Sequence, residues 1–237
     1  MSVKAVLLDL DDTLITSSQV YQKALRYCSD FLADLYNLDN EKFFKISVQK
    51  HLLIQNNFPT VHTRHSRILV FRFALEEAGV NYDLSILPEV KDMYWNYFLD
   101  KVGVFPEVFD TLTELRRQGL LLAVVSDGSL ALRIRKLEKT HILPFLDQVV
   151  ASEEVIFEKP FSAIFTLALS RLQVEPEQAI MLGSDYKSDI RGAQMVGIKA
   201  GLFNPPKFSA VLGDPSDTTP DFEVHRFSEL LEIVKKF

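Results

Sequence analysis

The sequence is poor in cysteine and contains no long apolar run. Its 237 residues include a single cysteine, Cys28, so an internal disulfide is excluded and we expect this thiol to have a packing role. No apolar run approaches the roughly 20 residues that span a bilayer, and Asp9 interrupts the first run too early for a signal peptide. We therefore expect a cytoplasmic protein without a membrane partner.

Positive charge is also scarce. The chain has 26 lysines and arginines against 32 aspartates and glutamates, so it has no basic field that would attract nucleic acid. Glycine-rich signatures of dinucleotide binding and of P-loops are missing, which argues against both classes. The chain is 47% hydrophobic and 24% charged, and this composition is typical of a globular protein with one large or two modest domains.

Short apolar runs alternate with helical segments along most of the chain. This order is typical of an α/β fold, in which helices cover both faces of a parallel sheet. We also predict a helix over residues 106–117 that stops at Gly119, and a closing helix over residues 228–236. Five of the six predicted strands cover residues 3–8, 120–125, 179–182, 199–203 and 222–224. The other predicted strand begins at residues 149–150.

Residues 16–101 differ from the rest because they contain no strand-like run beside turn signals. Apolar residues recur at helical spacing from Tyr21 to Leu35 and from Ile68 to Ala78, which predicts two amphipathic helices. We therefore expect a small helical domain over residues 16–101, inserted into an α/β core that comprises residues 1–15 and 102–237.

Two side-chain clusters within the insertion have two interpretations each. His62, Arg64, His65 and Arg67 form a basic patch that either faces an anionic substrate or belongs to a solvated helix start, and we favour the second. Residues 94–98 include four aromatic side chains that either line a cleft or pack a core. Packing is the commoner role for such a cluster.

The most informative segment is an apolar stretch, residues 6–8, that is followed by carboxylates at positions 9, 11 and 12. Burying such charges without partners costs free energy, so the segment implies a bound cation. In an extended segment the side chains of Asp9 and Asp11 project to one side and converge just beyond the strand, whereas Asp12 faces away. Two converging carboxylates suit Mg²⁺ and phosphoryl chemistry.

Residues 9–13, DLDDT, resemble the DxDxT first motif of the haloacid dehalogenase-like (HAD) phosphohydrolases. The resemblance implies that Asp9 is the nucleophile and gives one oxygen to the metal. It further implies that Asp11 transfers the proton and gives the metal its backbone carbonyl. Thr13 would orient the loop and the phosphate by hydrogen bonding, although a threonine in a turn is often only a local contact.

Ser126 matches the second motif of the family. It ends the predicted strand and precedes Asp127 and Gly128, so its hydroxyl and the next backbone N–H emerge where open α/β sheets bind ligands. The resemblance implies that Ser126 and Asp127 contact phosphate. The alternative is that Ser126 caps the helix that begins near Ser129.

Lys159 lies in a stretch, residues 151–160, that resembles the third motif of the family, where Lys and Pro open a helix beside the active site. A fixed ammonium would neutralise the repulsion between the nucleophile and a phosphate. A lone lysine is more often a solvated loop residue, but the position of Lys159 between strands favours the catalytic interpretation.

Residues 181–193 resemble the fourth motif but depart from it at one position. In the family a glycine is followed directly by a metal-binding aspartate, whereas here Gly183 is followed by Ser184 and the acid comes next, at Asp185. Asp189 keeps the expected offset. Our first choice for the third metal ligand is Asp185. In the alternative arrangement, Ser184 holds a metal-bound water and Asp189 supplies charge from behind the ligands. Helix capping suits Asp189 better than Asp185.

The four motifs occur in the order typical of the family, each at the end of a strand-like run. The resemblance implies a Rossmann-like core with a helical cap inserted after the first motif. It implies a Mg²⁺-dependent phosphatase that hydrolyses a small phosphorylated metabolite through an aspartyl phosphate. Three alternatives stay open: a phosphotransferase or phosphomutase, a 2-haloacid dehalogenase, and a noncatalytic binding module that has lost its metal.

Overall fold

The computed structural model describes residues 2–206, 208 and 218–237. The chain folds into two compact units, one formed by Met1–Ser17 with Gly103–Phe237 and the other by Ser18–Val102. None of the helices in the described ranges is long and apolar enough to cross a membrane.

The strands of the first unit are β1 (Ala5–Leu8), β2 (Ile15–Thr16), β3 (Gly103–Val104), β4 (Leu121–Ser126), β5 (Gln148–Ala151), β6 (Ala179–Gly183), β7 (Lys199–Phe203) and β8 (Phe222–Val224). Six of them form a parallel sheet with strand order β5-β4-β1-β6-β7-β8. Each predicted strand is present, with ends within three residues of the predicted ones. The two-stranded antiparallel pair formed by β2 and β3 was not predicted.

The central strand β1 is apolar at every position because both faces of the sheet are covered. Its side chains alternate between the faces. Ala5 and Leu7 pack with Phe165 in one buried cluster, and Val6 and Leu8 on the other face are fully buried as well. The chain therefore leaves a fully desolvated strand at Asp9, the first carboxylate of the site.

The second unit is helical throughout, as predicted. Its helices are α1 (Ser18–Leu35), α2 (Asn40–Asn57), α3 (Arg67–Glu77) and α4 (Ile86–Lys101). The two amphipathic stretches became α1 and α3, whereas α2 and α4 had no individual prediction. Cys28 lies in the core of this unit, where burial raises the pKa of its thiol to about 12, and this confirms the expected packing role.

The helices of the first unit are α5 (Val108–Arg117), α6 (Leu130–Lys139), α7 (Ser162–Leu172), α8 (Gly192–Gln194) and α9 (Leu230–Lys236). Helix α5 begins two residues later than predicted and ends before Gly119, whose positive φ of 82° suits the residue that follows a helix. Helix α9 begins at Leu230 because Phe227–Glu229 forms a 3₁₀ turn.

The basic patch of the second unit is only partly solvated. The side chain of Arg67 is buried, and its guanidinium lies 4.8 Å from the ring centroid of Tyr94 and 5.6 Å from that of Trp95. The preference for a solvated helix start is therefore wrong for Arg67, which packs by cation–π contact. Tyr94 and Phe98 are buried, so the packing interpretation of the aromatic cluster is confirmed for these two rings.

Candidate active site

Three strands end together at one edge of the sheet. Leu8 at the end of β1 pairs with Val124 of β4 and with Leu182 of β6, so the next residues of all three strands share this edge. The backbone N–H of Asp9 donates to the carbonyl of Leu182 at 3.0 Å. This register places Asp9 between the second motif and the fourth.

Lys159 joins the first motif to the fourth. Its ammonium donates to Asp9 Oδ1 at 2.7 Å, to Asp189 Oδ1 at 2.6 Å and to the carbonyl of Val125 at 3.1 Å. The side chains of Lys159, Asp9 and Asp189 are all less than 10% exposed. The solvated-loop interpretation of Lys159 is therefore wrong.

Burial dominates the electrostatics of this group. It raises the pKa of Asp9 to about 7, because desolvation outweighs the attraction of Lys159. Burial also raises the pKa of Asp189. Desolvation opposes the charged form of Lys159, yet Asp189 and Asp9 together hold its pKa well above the ordinary value. Two carboxylates thus share one ammonium, an arrangement that suits an additional cation.

Asp11 is held by cations of its own. Lys136 Nζ donates to Asp11 Oδ1 and Oδ2 at 2.7 and 2.8 Å, and Arg133 donates to Oδ2 at 3.0 Å. The predicted convergence of the Asp9 and Asp11 carboxylates on one cation is not seen, because Asp9 pairs with Lys159 instead. Burial, with a smaller effect from Arg133, lowers the pKa of Lys136 to about 7.

Sequence reasoning missed Arg133 and Lys136, although a signal was present. Both lie on α6, three residues apart, and only Arg133, Lys136 and Leu137 of this helix are buried. Two cations beside a leucine on the buried face of an amphipathic helix indicate that the helix covers a carboxylate.

The second motif brings Ser126 and Asp127 to the same edge. Ser126 is buried at the end of β4, and the N-cap of α6 is Ser129, so the alternative in which Ser126 caps this helix is wrong. Asp127 Oδ1 accepts the backbone N–H of Lys159 at 2.9 Å, and burial raises the pKa of this carboxyl to about 6. Asp127 thereby fixes the segment that carries Lys159.

Thr13 lies beside the proposed nucleophile. Its hydroxyl donates to Asp9 Oδ2 at 3.4 Å, and its side chain is fully buried. The contact is long for a hydrogen bond between oxygens, so it orients Asp9 weakly. The predicted orienting role therefore acts on Asp9 itself.

In the fourth motif, Asp185 caps a helical turn and Asp189 faces the site, which is the reverse of the expectation for capping. Asp185 is the N-cap of the helical turn Tyr186–Arg191, and its carboxylate accepts the N–H groups of Lys187 and Ser188. Asp189 is 1% exposed and faces Lys159. The expectation that capping suits Asp189 better than Asp185 is therefore wrong.

Gly183 and Ser184 hold Asp189 in place. A Cβ at Gly183 would lie 2.4 Å from Asp189 Cβ, so glycine permits this close approach. The N–H groups of Ser184 and Asp185 donate to Asp189 Oδ2 at 3.0 and 3.1 Å. The side-chain hydroxyl of Ser184 is directed elsewhere, to the backbone carbonyl of Asp11 at 3.4 Å.

The donor set at this edge fits a hard divalent cation. Within the described ranges, no cluster of three or more His, Cys, Asp and Glu side chains could hold a metal by itself. The Ser184 hydroxyl and the Asp11 carbonyl lie together, and Asp9 shares the edge. Mg²⁺ accepts such oxygen donors and needs only one or two carboxylates when water and a substrate phosphate complete its shell.

A model of the family described as haloacid dehalogenase-like hydrolase matches residues 3–197. The chain belongs to this family. Two curated relatives that the chain matches over nearly their whole length are phosphatases. The chain is 30% identical over 237 residues to a glyceraldehyde 3-phosphate phosphatase of Methanopyrus kandleri, covering 99% of the chain and 98% of the relative. It is 29% identical over 235 residues to a ribulose-1,5-bisphosphate 5-phosphatase of Halopiger xanaduensis, covering 97% and 98%.

Solved structures of HAD-like hydrolases share the fold. A HAD phosphatase from Thermococcus onnurineus matches with a TM-score of 0.74 and 25% identity over 98% of both chains. A 2-haloacid dehalogenase from Pseudomonas syringae matches with a TM-score of 0.74 and 27% identity over 99% of both chains. Together with the family match, these findings confirm the predicted family, the α/β Rossmann-like fold and the enzyme class, a phosphoric monoester hydrolase.

Proposed function

We propose that this HAD-like hydrolase is a Mg²⁺-dependent phosphatase that hydrolyses a small phosphorylated metabolite through an aspartyl phosphate on Asp9. The observation that carries the proposal is the buried contact between Lys159 and Asp9 at the carboxyl end of β1. We assign the catalytic core to the first unit, with the second unit as its cap, and we place the enzyme in the cytoplasm. The names of the two phosphatase relatives favour a sugar phosphate as substrate.

In the first step Asp9 attacks phosphorus in line and displaces the alcohol of the substrate. Lys159, the hydroxyl of Ser126 and the backbone N–H of Asp127 stabilise the charge on the phosphoryl oxygens. Asp11 gives a proton to the leaving oxygen, and in the second step it takes a proton from the water that hydrolyses the aspartyl phosphate. Its carboxyl is 24% exposed, and this exposure supports access to a substrate.

For the metal we propose the carboxylate of Asp9, the backbone carbonyl of Asp11 and the hydroxyl of Ser184 as protein ligands. When bound, Mg²⁺ would neutralise charge on the phosphate and on Asp9. The carboxylate of Asp189 accepts the backbone N–H of Ser184 and so orients Ser184. We therefore place Asp189 behind the metal ligands and not among them. Asp185 is engaged as a cap, and we give it no role in binding the metal.

The proposal predicts release of p-nitrophenol from p-nitrophenyl phosphate in millimolar Mg²⁺, with a loss of at least about tenfold after treatment with EDTA. Stopped-time colorimetry measures both rates, and readdition of Mg²⁺ should restore the first. A panel of triose and pentose phosphates then identifies the preferred substrate class. Metal-independent release of halide from 2-chloropropionate by a chain inactive on phosphate esters would instead establish a dehalogenase.

Variants of the fourth motif test the proposed metal ligands. Ser184→Ala removes a neutral oxygen donor, so we expect the Mg²⁺ concentration for half-maximal activity to rise about tenfold. Ser184→Asp adds a charged donor at the same place and should lower that concentration below the parent value. Asp185→Asn is the matched control, because asparagine keeps the cap and removes the charge. A larger effect of Asp185→Asn than of Ser184→Ala on the Mg²⁺ requirement would contradict the assignment.

A further inference from the structure

Two buried cations beneath Asp11 are not accounted for by the proposed chemistry. The side chains of Lys136 and Arg133 are 0% and 3% exposed, whereas the side chain of Asp11 is 24% exposed. Both cations come from α6, more than 120 residues away in sequence, and approach the same carboxylate. We call Lys136 and Arg133 together the clamp. The clamp contacts Asp11 on its buried side and leaves part of the Asp11 side chain accessible to solvent.

Stability alone is a poor explanation for this clamp. Removing two cations from water costs free energy that an ion pair repays only in good geometry, and apolar side chains of similar volume often stabilise a buried helix face as well or better. The geometry here is specific. Lys136 contacts both oxygens of Asp11, and Arg133 contacts Oδ2, so rotation of the carboxylate would break these hydrogen bonds.

Further contacts keep the clamp itself in place. The N–H of Gly128 donates to Ser152 Oγ at 2.8 Å, and Gly128 adopts a positive φ of 116°. A Cβ at Gly128 would lie 2.2 Å from a terminal nitrogen of Arg133, so the glycine makes room for the guanidinium beside the second motif. The guanidinium of Arg133 therefore lies against the backbone of Gly128, two residues after Ser126.

We propose that Lys136 and Arg133 are positioning residues that hold the Asp11 carboxyl in the orientation needed for proton transfer to the leaving oxygen. Two neighbouring cations favour the ionised carboxylate, so the proton that Asp11 gives to the leaving oxygen is first taken up from solvent at its exposed side. This inference rests on the proposed function of Asp11. If Asp11 loses its correct orientation, the rate should fall most for substrates whose leaving group must be protonated. Aryl phosphates provide such a series, because p-nitrophenolate leaves without help and p-methoxyphenolate needs a proton.

The test compares Lys136→Met with the parent enzyme on p-nitrophenyl and p-methoxyphenyl phosphate. We expect kcat/KM to fall about 100-fold on the p-methoxyphenyl ester and less than about tenfold on the p-nitrophenyl ester. Lys136→Arg keeps the cation and should recover most of the loss. Lys139→Met, on the exposed side of α6, is the matched control and should behave as the parent does on both esters.

Asp11→Asn separates this inference from the function on which it rests. We expect Asp11→Asn to show the same leaving-group selectivity, and the double variant with Lys136→Met to lose no more than Asp11→Asn alone. Equal losses on the two esters for Lys136→Met, or additive losses in the double variant, would overturn the positioning role and leave the proposed function intact. An unselective loss in Asp11→Asn would overturn the proton role of Asp11 itself. If Lys136→Met fails to fold, Arg133→Gln takes its place with the same expected results.

Discussion

Replacing Asp9 by asparagine is expected to lower the rate of phosphate release by about 10⁴-fold or more while the protein stays folded. The amide has nearly the same shape as the carboxylate, but it cannot form the aspartyl phosphate. In the parent enzyme, fluoroberyllate with Mg²⁺ should inhibit and give bound ¹⁹F signals, because the complex mimics phosphate on a carboxylate. Asp9→Asn should give neither result. Retention of a tenth of the parent rate in both Asp9→Asn and Asp9→Ala would show that the nucleophile lies elsewhere.

The same variant has a distinctive effect on stability. Burial raises the pKa of Asp9 from 3.8 to about 7, so the folded protein binds this proton more tightly than the unfolded chain. The resulting stabilisation is complete below the unfolded pKa and is lost as the pH rises through the folded pKa. Without metal, the Tm of the parent should therefore fall relative to that of Asp9→Asn between pH about 5 and about 8. Calorimetry in EDTA measures this difference, and a constant difference across that range would contradict the raised pKa.

The sheet and the positions of most candidate site residues were predictable because each apolar strand is followed directly by a polar residue. Leu8 is followed by Asp9, and Val125 by Ser126, so each apolar run stops at a residue that we assign to the candidate site. Parallel strands carry such residues to one edge of the sheet. Local sequence therefore indicated both the strand and the position of the candidate side chain that follows it.

The fourth motif was harder because its backbone departs from an ordinary helix. The N–H of Ile190 donates to the carbonyl of Asp185 at 3.2 Å, five residues back, in the wide turn that follows β6. Such a turn changes which side chain faces inward, and nothing in the spacing indicates it. Asp189 consequently reaches Lys159, while Asp185 caps the turn.

The pairing of Asp11 with Lys136 was out of reach of sequence reasoning for a different reason. It joins residues 125 positions apart, and helical periodicity gives only the face of α6 on which a side chain lies. The partner of that face depends on how α6 packs against the sheet. Buried charge on an apolar face is the one local sign that a distant opposite charge must exist.

Replacing Lys159 by methionine is expected to impair both folding stability and activity. Methionine keeps the length of the side chain but leaves Asp9 and Asp189 buried without their shared ammonium. Breaking a buried pair in this way typically costs about 3–5 kcal/mol of unfolding free energy. Loss of a fixed cation from the phosphate site should also lower kcat/KM about 10²–10³-fold. Urea titration and the p-nitrophenyl phosphate assay measure the two effects.

A second substitution distinguishes the structural role of Lys159 from its chemical role. Adding Asp189→Asn to Lys159→Met removes one of the two uncompensated carboxylates, so part of the lost unfolding free energy should return. Activity should stay low, because the phosphoryl oxygens still lack the ammonium beside Asp9. Recovery of activity together with stability would mean that Lys159 serves only to neutralise Asp189. Recovery of stability alone is expected, since the ammonium of Lys159 lies 2.7 Å from Asp9, the proposed nucleophile, and 2.6 Å from Asp189.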